Sequence, residues 1–558
     1  MKVENDFRQT YIKPLKTRQH NGFTNNQQNK SNPNFTGAFD IALRFLDTNQ
    51  AWGACAVDFG CMVLPRTITD FGRGTDAGME TARREGMGTF NHSMVGVYGA
   101  LAGLALATGI NSIYQFGNKD VKANSIFADA ETMDLHGKIY GEQVRAAANN
   151  IGANPLKQYI TETLKNYEVK TDTGSWIKLD PEKIKQAANI LEEEIKADGN
   201  KINKDAFAQA RTLLVSSSSA ENNFRIAANG GKEHSSRYTV DYIVENIYKL
   251  GKVFSKDKVK ETFLKSTEAA ENAFIKSIKS MNVKRSLIGI GIASAFGISA
   301  QPLNMYLTKL KTGKSGFVGG GEEDKSAGFK FRKGLVAALF GAGVLATIGN
   351  PKNLVKDLQF KGFTPTIKQF KFIYGITIMS RFLSSRNDNE LKECSIKDTL
   401  GFANWLILGN FVQKLVAQSL DPTLIKRDGK GVINWIGKSV LKTRDEVLHS
   451  NLGEKVFGKD GKALKYSEMV KLANKATKKK LRILTIAQLA GYAYSGIVLG
   501  RGIPKLNIYM TNKSEAKRKA KLAEQGAQNT VSVQPQMSKE QFSGMLKPEN
   551  LNFLSTKM

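Results

Sequence analysis

Ser93-Met94-Val95-Gly96-Val97-Tyr98-Gly99-Ala100-Leu101-Ala102-Gly103-Leu104-Ala105-Leu106-Ala107-Thr108-Gly109-Ile110 is a run of eighteen residues with no charged side chain. As an α-helix rising about 1.5 Å per residue it covers about 27 Å, close to the hydrocarbon thickness of a bilayer. The charge-free stretch around it reaches from residue 86 to residue 118. Residues 286–308, 334–351 and 483–500 repeat the pattern, and residues 399–420 repeat it with one interruption, Lys414. Residues 372–380 are apolar but too short to span, which suits a re-entrant or buried piece. Five such runs predict a mainly α chain folded as a multi-helix, membrane-embedded bundle.

The runs are made of Gly, Ala, Ile, Leu and Val. Gly and Ala add little to insertion and each Leu or Ile only about −0.3 to −0.6 kcal/mol, so each run is a marginal inserter alone. Small residues recur at helix-contact spacing: Gly99 with Gly103; Gly289, Ala293 and Gly297; Gly496 with Gly500. That spacing lets backbones approach closely in lipid. It also suits the buried helices of a water-soluble core. A soluble basic scaffold in the cytoplasm is therefore the competing architecture to a protein of the bacterial cell membrane.

Lys and Arg number 81 against 51 acids, a net charge of +30. Much of this charge flanks the apolar runs, as in Lys284-Arg285, Arg332-Lys333, and Lys478-Lys479-Lys480 with Arg482. Side chains so placed anchor helix ends at anionic lipid headgroups, the partner this pattern predicts. The even spread along the chain argues against one nucleic-acid groove. It also leaves the run ends basic on both sides, so charge asymmetry does not orient the chain.

Three cysteines (Cys55, Cys61, Cys394) form no disulfide framework, and five scattered histidines show no metal spacing. Neither a metal nor a cofactor is expected. Gly313-Lys314-Ser315 and Gly437-Lys438-Ser439 supply only the end of a phosphate loop, because Thr308 and Val432 stand where its first glycine is needed.

Residues 37–118 join a charged helical region to the first apolar helix. Asp58 lies inside the apolar residues 52–64, and Pro65 should interrupt a helix there. A buried Asp58 needs a partner, since an unpaired carboxylate in an apolar setting is costly. Arg66, Asp70, Asp76, Glu80, Arg83, Arg84, Glu85 and His92 complete the one polar cluster worth searching for chemistry. Asp76, Glu80 and Arg83/Arg84 fall on one helix face. Such a cluster beside a membrane serves either acid–base work on a lipid or an ion-pair network tying helix ends, and the second is the simpler account. His92 is expected at the interface.

Residues 119–285 read as a soluble helical insertion through which a protein partner would bind. Asp180-Pro181 marks a helix start, Gly199 its stop, and residues 167–170 and 175–179 a β-hairpin. Further helices are expected over 205–215, 237–250 and 256–281, and a second small hairpin around Asp460-Gly461. Residues 286–510 hold the remaining apolar helices with polar loops. Residues 1–36 are expected to be a disordered leader and 511–558 a disordered basic and polar tail.

Asn32-Pro33-Asn34-Phe35-Thr36-Gly37, followed by Leu46-Asp47-Thr48-Asn49-Gln50-Ala51-Trp52-Gly53, resembles the start of uncharacterised helical proteins from non-photosynthetic relatives of cyanobacteria. The resemblance covers about the first fifth of the chain. It implies a bacterial setting and carries no activity with it. The expected function is thus structural or interactive, with no identifiable chemistry. A transporter or channel, a membrane enzyme acting on lipid or envelope precursors, and a nucleic-acid-binding scaffold are the alternatives.

Overall fold

The structure, a computed structural model, describes residues 38–532 apart from 49, 149–153, 172–174, 219–222, 228–236, 314–322, 350–352, 408–410 and 428–430. The expected leader and the last part of the expected tail, 533–558, lie outside the described residues. The chain is mainly helical.

Helices α1 (Ala38–Thr48) and α2 (Gln50–Val57), a π-helical turn π1 (Asp58–Val63) and α3 (Leu64–Phe71) lead to the long α4 (Thr75–Ile113). Pro65 does not break this path, contrary to expectation. Proline removes the hydrogen bond to the carbonyl four residues earlier, here that of Cys61, and the wider π1 turn immediately before it takes up the mismatch. The Cys61 carbonyl instead faces Gly500, where an added Cβ would collide with it.

The 119–285 region contains α5 (Ala130–Ala148), α6 (Pro155–Lys165), β1 (Tyr167–Lys170), β2 (Trp176–Lys178), α7 (Pro181–Lys196), α8 (Lys204–Ser218), β3 (Phe224–Ile226), α9 (Val240–Phe254) and α10 (Asp257–Lys265). Asp180 caps α7 by accepting from the N–H groups of Glu182 and Lys183, and Gly199 takes φ +117° just past its end. The β1–β2 pair is antiparallel, with Val169 opposite Ile177, and β3 adds on the other edge of β1. The helix expected over 256–281 is two helices. Asn272 accepts from the Ile275 N–H and starts α11 (Ala273–Thr312), while α10 ends at Lys265. One aromatic-rich core, with Tyr140, Tyr159, Phe254, Phe263 and Phe274 stacked edge to face, runs from Ala107 to Met281.

The second half comprises α12 (Ala327–Ile348), the single turn α13 (Leu354–Asp357), α14 (Ile367–Leu383), α15 (Asp388–Phe402), π2 (Ala403–Ile407), α16 (Phe411–Leu420), β4 (Ile425–Lys426), α17 (Val432–Lys438), β5 (Val440–Leu441), α18 (Arg444–Leu452), α19 (Tyr466–Leu472), α20 (Lys475–Tyr494), π3 (Ser495–Gly502) and α21 (Ile503–Ser532). Strands β4 and β5 pair. The hairpin expected at Asp460-Gly461 is reduced to one bridge, Phe457 with Ala463. Helix α21 overturns the first part of the expected disordered tail. Its Lys-, Arg-, Ala- and Glu-rich sequence is made of strong helix formers, so polarity there did not mean disorder.

Among the described residues, four helices are long and apolar enough to cross a membrane: Thr75–Ile113, Ala273–Lys311, Ala327–Ile348 and Lys475–Ser514. Of the fifth expected run, 399–420, residues 399–407 lie in α15 and π2 and residues 411–420 form α16, with 408–410 outside the described residues. The short run 372–380 lies within α14, whose Phe370, Ile373, Thr377, Ile378 and Phe382 are buried.

Helices α4 and α11 pack antiparallel through their small residues. An added Cβ on Gly289 would lie 2.8 Å from the Gly99 Cα, whereas one on Gly297 would lie 2.8 Å from Thr377 Oγ1 of α14. Ala293 is fully buried, and its carbonyl accepts from the Asn91 amide at 2.8 Å. Gly103 has another role, since its missing side chain seats the Arg285 stem. Gly500 faces Cys61 and Pro65, whereas a Cβ added at Gly496 would have no neighbour within 4 Å, so Gly496 is no packing residue. Pro302 sits inside α11 and frees the Ile298 carbonyl, which accepts from the Ser380 hydroxyl at 2.6 Å.

Candidate functional site: a buried charge network

The α4 helix brings Arg84, Glu85 and His92 inward, and α3 lies antiparallel beside it with Arg66. The Glu85 carboxylate is shared by four cations: Arg66 and Arg381 at 3.4 Å, Arg84 at 3.3 Å and Lys397 at 3.6 Å. Arg381 also holds Asp398 at 3.2 Å. All six side chains are at most 6% exposed. Glycines make room for the guanidinium groups: an added Cβ on Gly401 would lie 3.0 Å from Arg66 Nη2, and one on Gly88 would lie 3.5 Å from Arg381 Nη2.

One to two turns along α4 lies the second part. Asp58, on π1, accepts from the Thr89 hydroxyl at 2.5 Å and pairs with His92 Nε2 at 2.9 Å. The His92 ring sits among Phe370, Tyr374 and Trp405, with centroids 5.3–5.7 Å away. Its Nδ1 has no hydrogen-bond partner among the described residues. His92 is therefore no interfacial residue; it is 1% exposed. The three π-helical turns among the described residues meet here: π1 supplies Asp58, π2 supplies Trp405, and the π3 carbonyl of Leu499 accepts from Arg66 Nε at 3.4 Å. Such turns leave main-chain groups unsatisfied and recur at functional sites.

The remaining cluster residues are not gathered into one pocket. Asp70 accepts from Thr81 at 2.6 Å and pairs with Arg73. Asp76 faces outward to Lys311 at 3.6 Å. Arg83 turns to Asn304 and Thr308 on α11. Glu80 is buried, lining a small cavity with Asp70, Arg73, Thr81, Arg84 and Glu393. Asp76 and Glu80 thus part company although they share a helix spacing of four. Lys414 is buried too, but its ammonium donates to the carbonyls of Trp435, Ile436 and Ser439 and so caps the end of α17.

Arg381, Lys397 and Asp398 are the site residues that sequence reasoning missed. Their one signal was position: each is a charge set directly against an apolar run. A second missed network joins α1 to α18. Arg444, fully buried, holds Asp40 at 3.3 Å, Asp47 and Thr485, and Tyr466 donates to Asp40 at 2.6 Å. Asp445 holds Arg44 at 2.5 Å and Arg211 of α8 at 3.5 Å. Burial lifts the Asp47 carboxyl to about 6 against the opposing pull of Arg444. Arg285, expected at a headgroup, is instead buried. It donates to the carbonyls of Asn124 and Ile126 and stacks 3.8 Å from the Phe127 ring.

Glu85, Asp398, Asp40 and Asp445 are taken up by cations, and a carboxylate so held is an ion-pair centre rather than a base; Asp58 is held instead by Thr89 and His92. Among the described residues no group of three or more His, Cys, Asp or Glu is placed to hold a metal. No known protein family, curated protein or solved structure matches the chain.

Proposed function

We propose that this chain is a membrane-embedded helical protein with a structural or interaction role, holding its 119–285 region in water at one membrane face. One observation carries the reading: the long apolar helices are inverted relative to a soluble core. Leu101, Leu104, Ile288, Phe296, Leu339 and Ile497 are exposed, whereas Glu85, His92, Arg285 and Arg381 are buried. Water penalises each such Leu, Ile or Phe by about 1.5–3 kcal/mol relative to burial, and patches of this extent mark contact with lipid or protein. Hydrocarbon removes that penalty and drives charges inward to pair with one another. Lys309, Lys311 and Arg332 stand at helix ends, where anionic headgroups meet them. The surface of the 119–285 region is where a protein partner would bind.

Expressed in a bacterium and washed at alkaline pH with carbonate, the chain is expected to stay in the membrane pellet and leave it only in detergent. Release by carbonate alone, or recovery in the soluble fraction, overturns the reading.

The transporter reading has one specific support. Along α4, His92 lies about 15 Å from the levels of both Arg285 and Arg83, so the Asp58–His92 pair sits halfway between the charged ends, beside three π-helical turns. Vesicles containing the full chain are then expected to pass protons or ions, and Asp58→Asn should abolish that flux. Wild-type vesicles as tight as protein-free ones remove this reading.

A further inference from the structure

We infer that the bundle crosses the bilayer seven times, and that residues 50–71 are a lipid-facing crossing that composition conceals. The inference rests on the membrane reading above and extends it from four crossings to seven. Helix α2, π1 and α3 form a continuous helical path of 22 residues, about 30 Å long. Its pairings run antiparallel to α4: Cys55 meets Ser93, Asp58 meets Thr89 and His92, Arg66 meets Glu85, and Asp70 meets Thr81. The path therefore runs alongside the Thr81–Ser93 part of α4 and passes the level of His92. Its outer face carries Trp52, Phe59, Leu64, Ile68 and Phe71, all exposed, and Phe59 lies level with the exposed Phe90 of α4. This face continues the apolar belt of its neighbours, and the acyl chains of lipid are its occupant. Asp58 and Arg66 lower its average hydropathy, yet both point inward and are paired.

Two further paths behave alike. Helix α14 runs antiparallel to α12, with Gly375 against Val344 and Gly341 against Met379. The described parts of 388–420, α15 with π2 and then α16, both run antiparallel to α20–π3–α21: Gly491 meets Gln413, Tyr494 meets Asn404, Asn507 meets Glu393, and Ser514 meets Asn389. The connections then sort by face. On one side, α1 meets α18 through Arg44–Asp445, the α12–α14 connection meets the 119–285 region through Lys356–Glu131 and Lys361–Asp129, and residues 421–474 meet it through Lys183–Glu454 and Arg211–Asp445. On the other, Asp76 meets Lys311, Arg332 meets Asp388, and the Asp324 N–H donates to the Arg386 carbonyl. Seven alternating passes satisfy every one of these contacts and leave α1 and the end of α21 on opposite faces.

The test labels single added cysteines in the full chain, in sealed vesicles, with a membrane-impermeant maleimide; the native Cys55, Cys61 and Cys394 set the background. Ile177→Cys reports the face of the 119–285 region. Phe39→Cys is expected to label from that face and Asp388→Cys from the opposite one, with Lys392→Cys as a second reporter there. Four crossings predict the reverse for both positions: Phe39→Cys opposite Ile177→Cys, and Asp388→Cys beside it. That result overturns the seven-pass arrangement while the membrane reading stands. A chain released by carbonate defeats the membrane reading first.

Discussion

Glu85→Gln is expected to cost the bundle about 3–5 kcal/mol, the scale of breaking a buried ion pair. The size follows from what remains. Arg66, Arg84, Arg381 and Lys397 surround Glu85, and its loss leaves these four buried cations short of the carboxylate they share, with Asp398 still held by Arg381. Each cation is held at most 6% exposed, so water cannot replace the lost carboxylate. Against a total stability of about 5–15 kcal/mol, such a loss should lower the thermal midpoint of the full chain in detergent sharply, read as loss of the monodisperse peak on heating. Removing a cation along with the anion should recover part of it: Glu85→Gln with Arg66→Gln is expected to be more stable than Glu85→Gln alone, because neighbouring charges do not contribute additively. A Glu85→Gln protein as heat-stable as the wild type would show that the network does not hold the helices together.

The same network explains which parts of the fold were legible beforehand. The helix at Thr75–Ile113 was readable because apolar residues dominate its second half, and α7 because Asp180 and Pro181 are local signals acting within one turn. The path over 50–71 was not, because Asp58 and Arg66 count as polar in any average. Their partners, His92 and Glu85, lie 34 and 19 residues away. Arg381 lies 297 residues from Arg84 and Asp398 a further 17 on, and no local pattern announces a pairing at that separation. Pro65 and Pro302 look like helix breakers until the acceptors they free are seen meeting Gly500 and Ser380. Lys284-Arg285 reads as one anchor, yet Arg285 turns inward beside Gly103 while Lys284 stays exposed, a difference of rotation around the helix. Cluster membership was thus partly visible in Asp58–His92, but the grouping of its members was decided by contacts between segments far apart in the chain.

Acid is expected to loosen the 119–285 region before it disturbs the bundle, through His136. This imidazole is completely buried, with Tyr159 2.7 Å from Nδ1 and Tyr167 3.4 Å from Nε2. Burial depresses its proton affinity, to about 3 from an ordinary value near 6.5. The folded state therefore binds fewer protons than the unfolded state between those limits, and stability present above pH 6.5 is lost as the pH falls towards 3. At about 1.4 kcal/mol per unit, the full loss approaches about 5 kcal/mol. His449, on α18, is buried and depressed to about 4, and it adds to the same trend outside this core. Hydrogen exchange over α5 and α6 in the full chain, corrected for the intrinsic effect of pH, should report an opening free energy that falls between pH 7 and pH 4. His136→Gln keeps a polar group facing Tyr159 but has no proton to take up, so its slope should be much shallower. Equal slopes in the two proteins would place the acid sensitivity elsewhere, and a flat wild-type profile would mean that His136 protonates without strain in the folded chain.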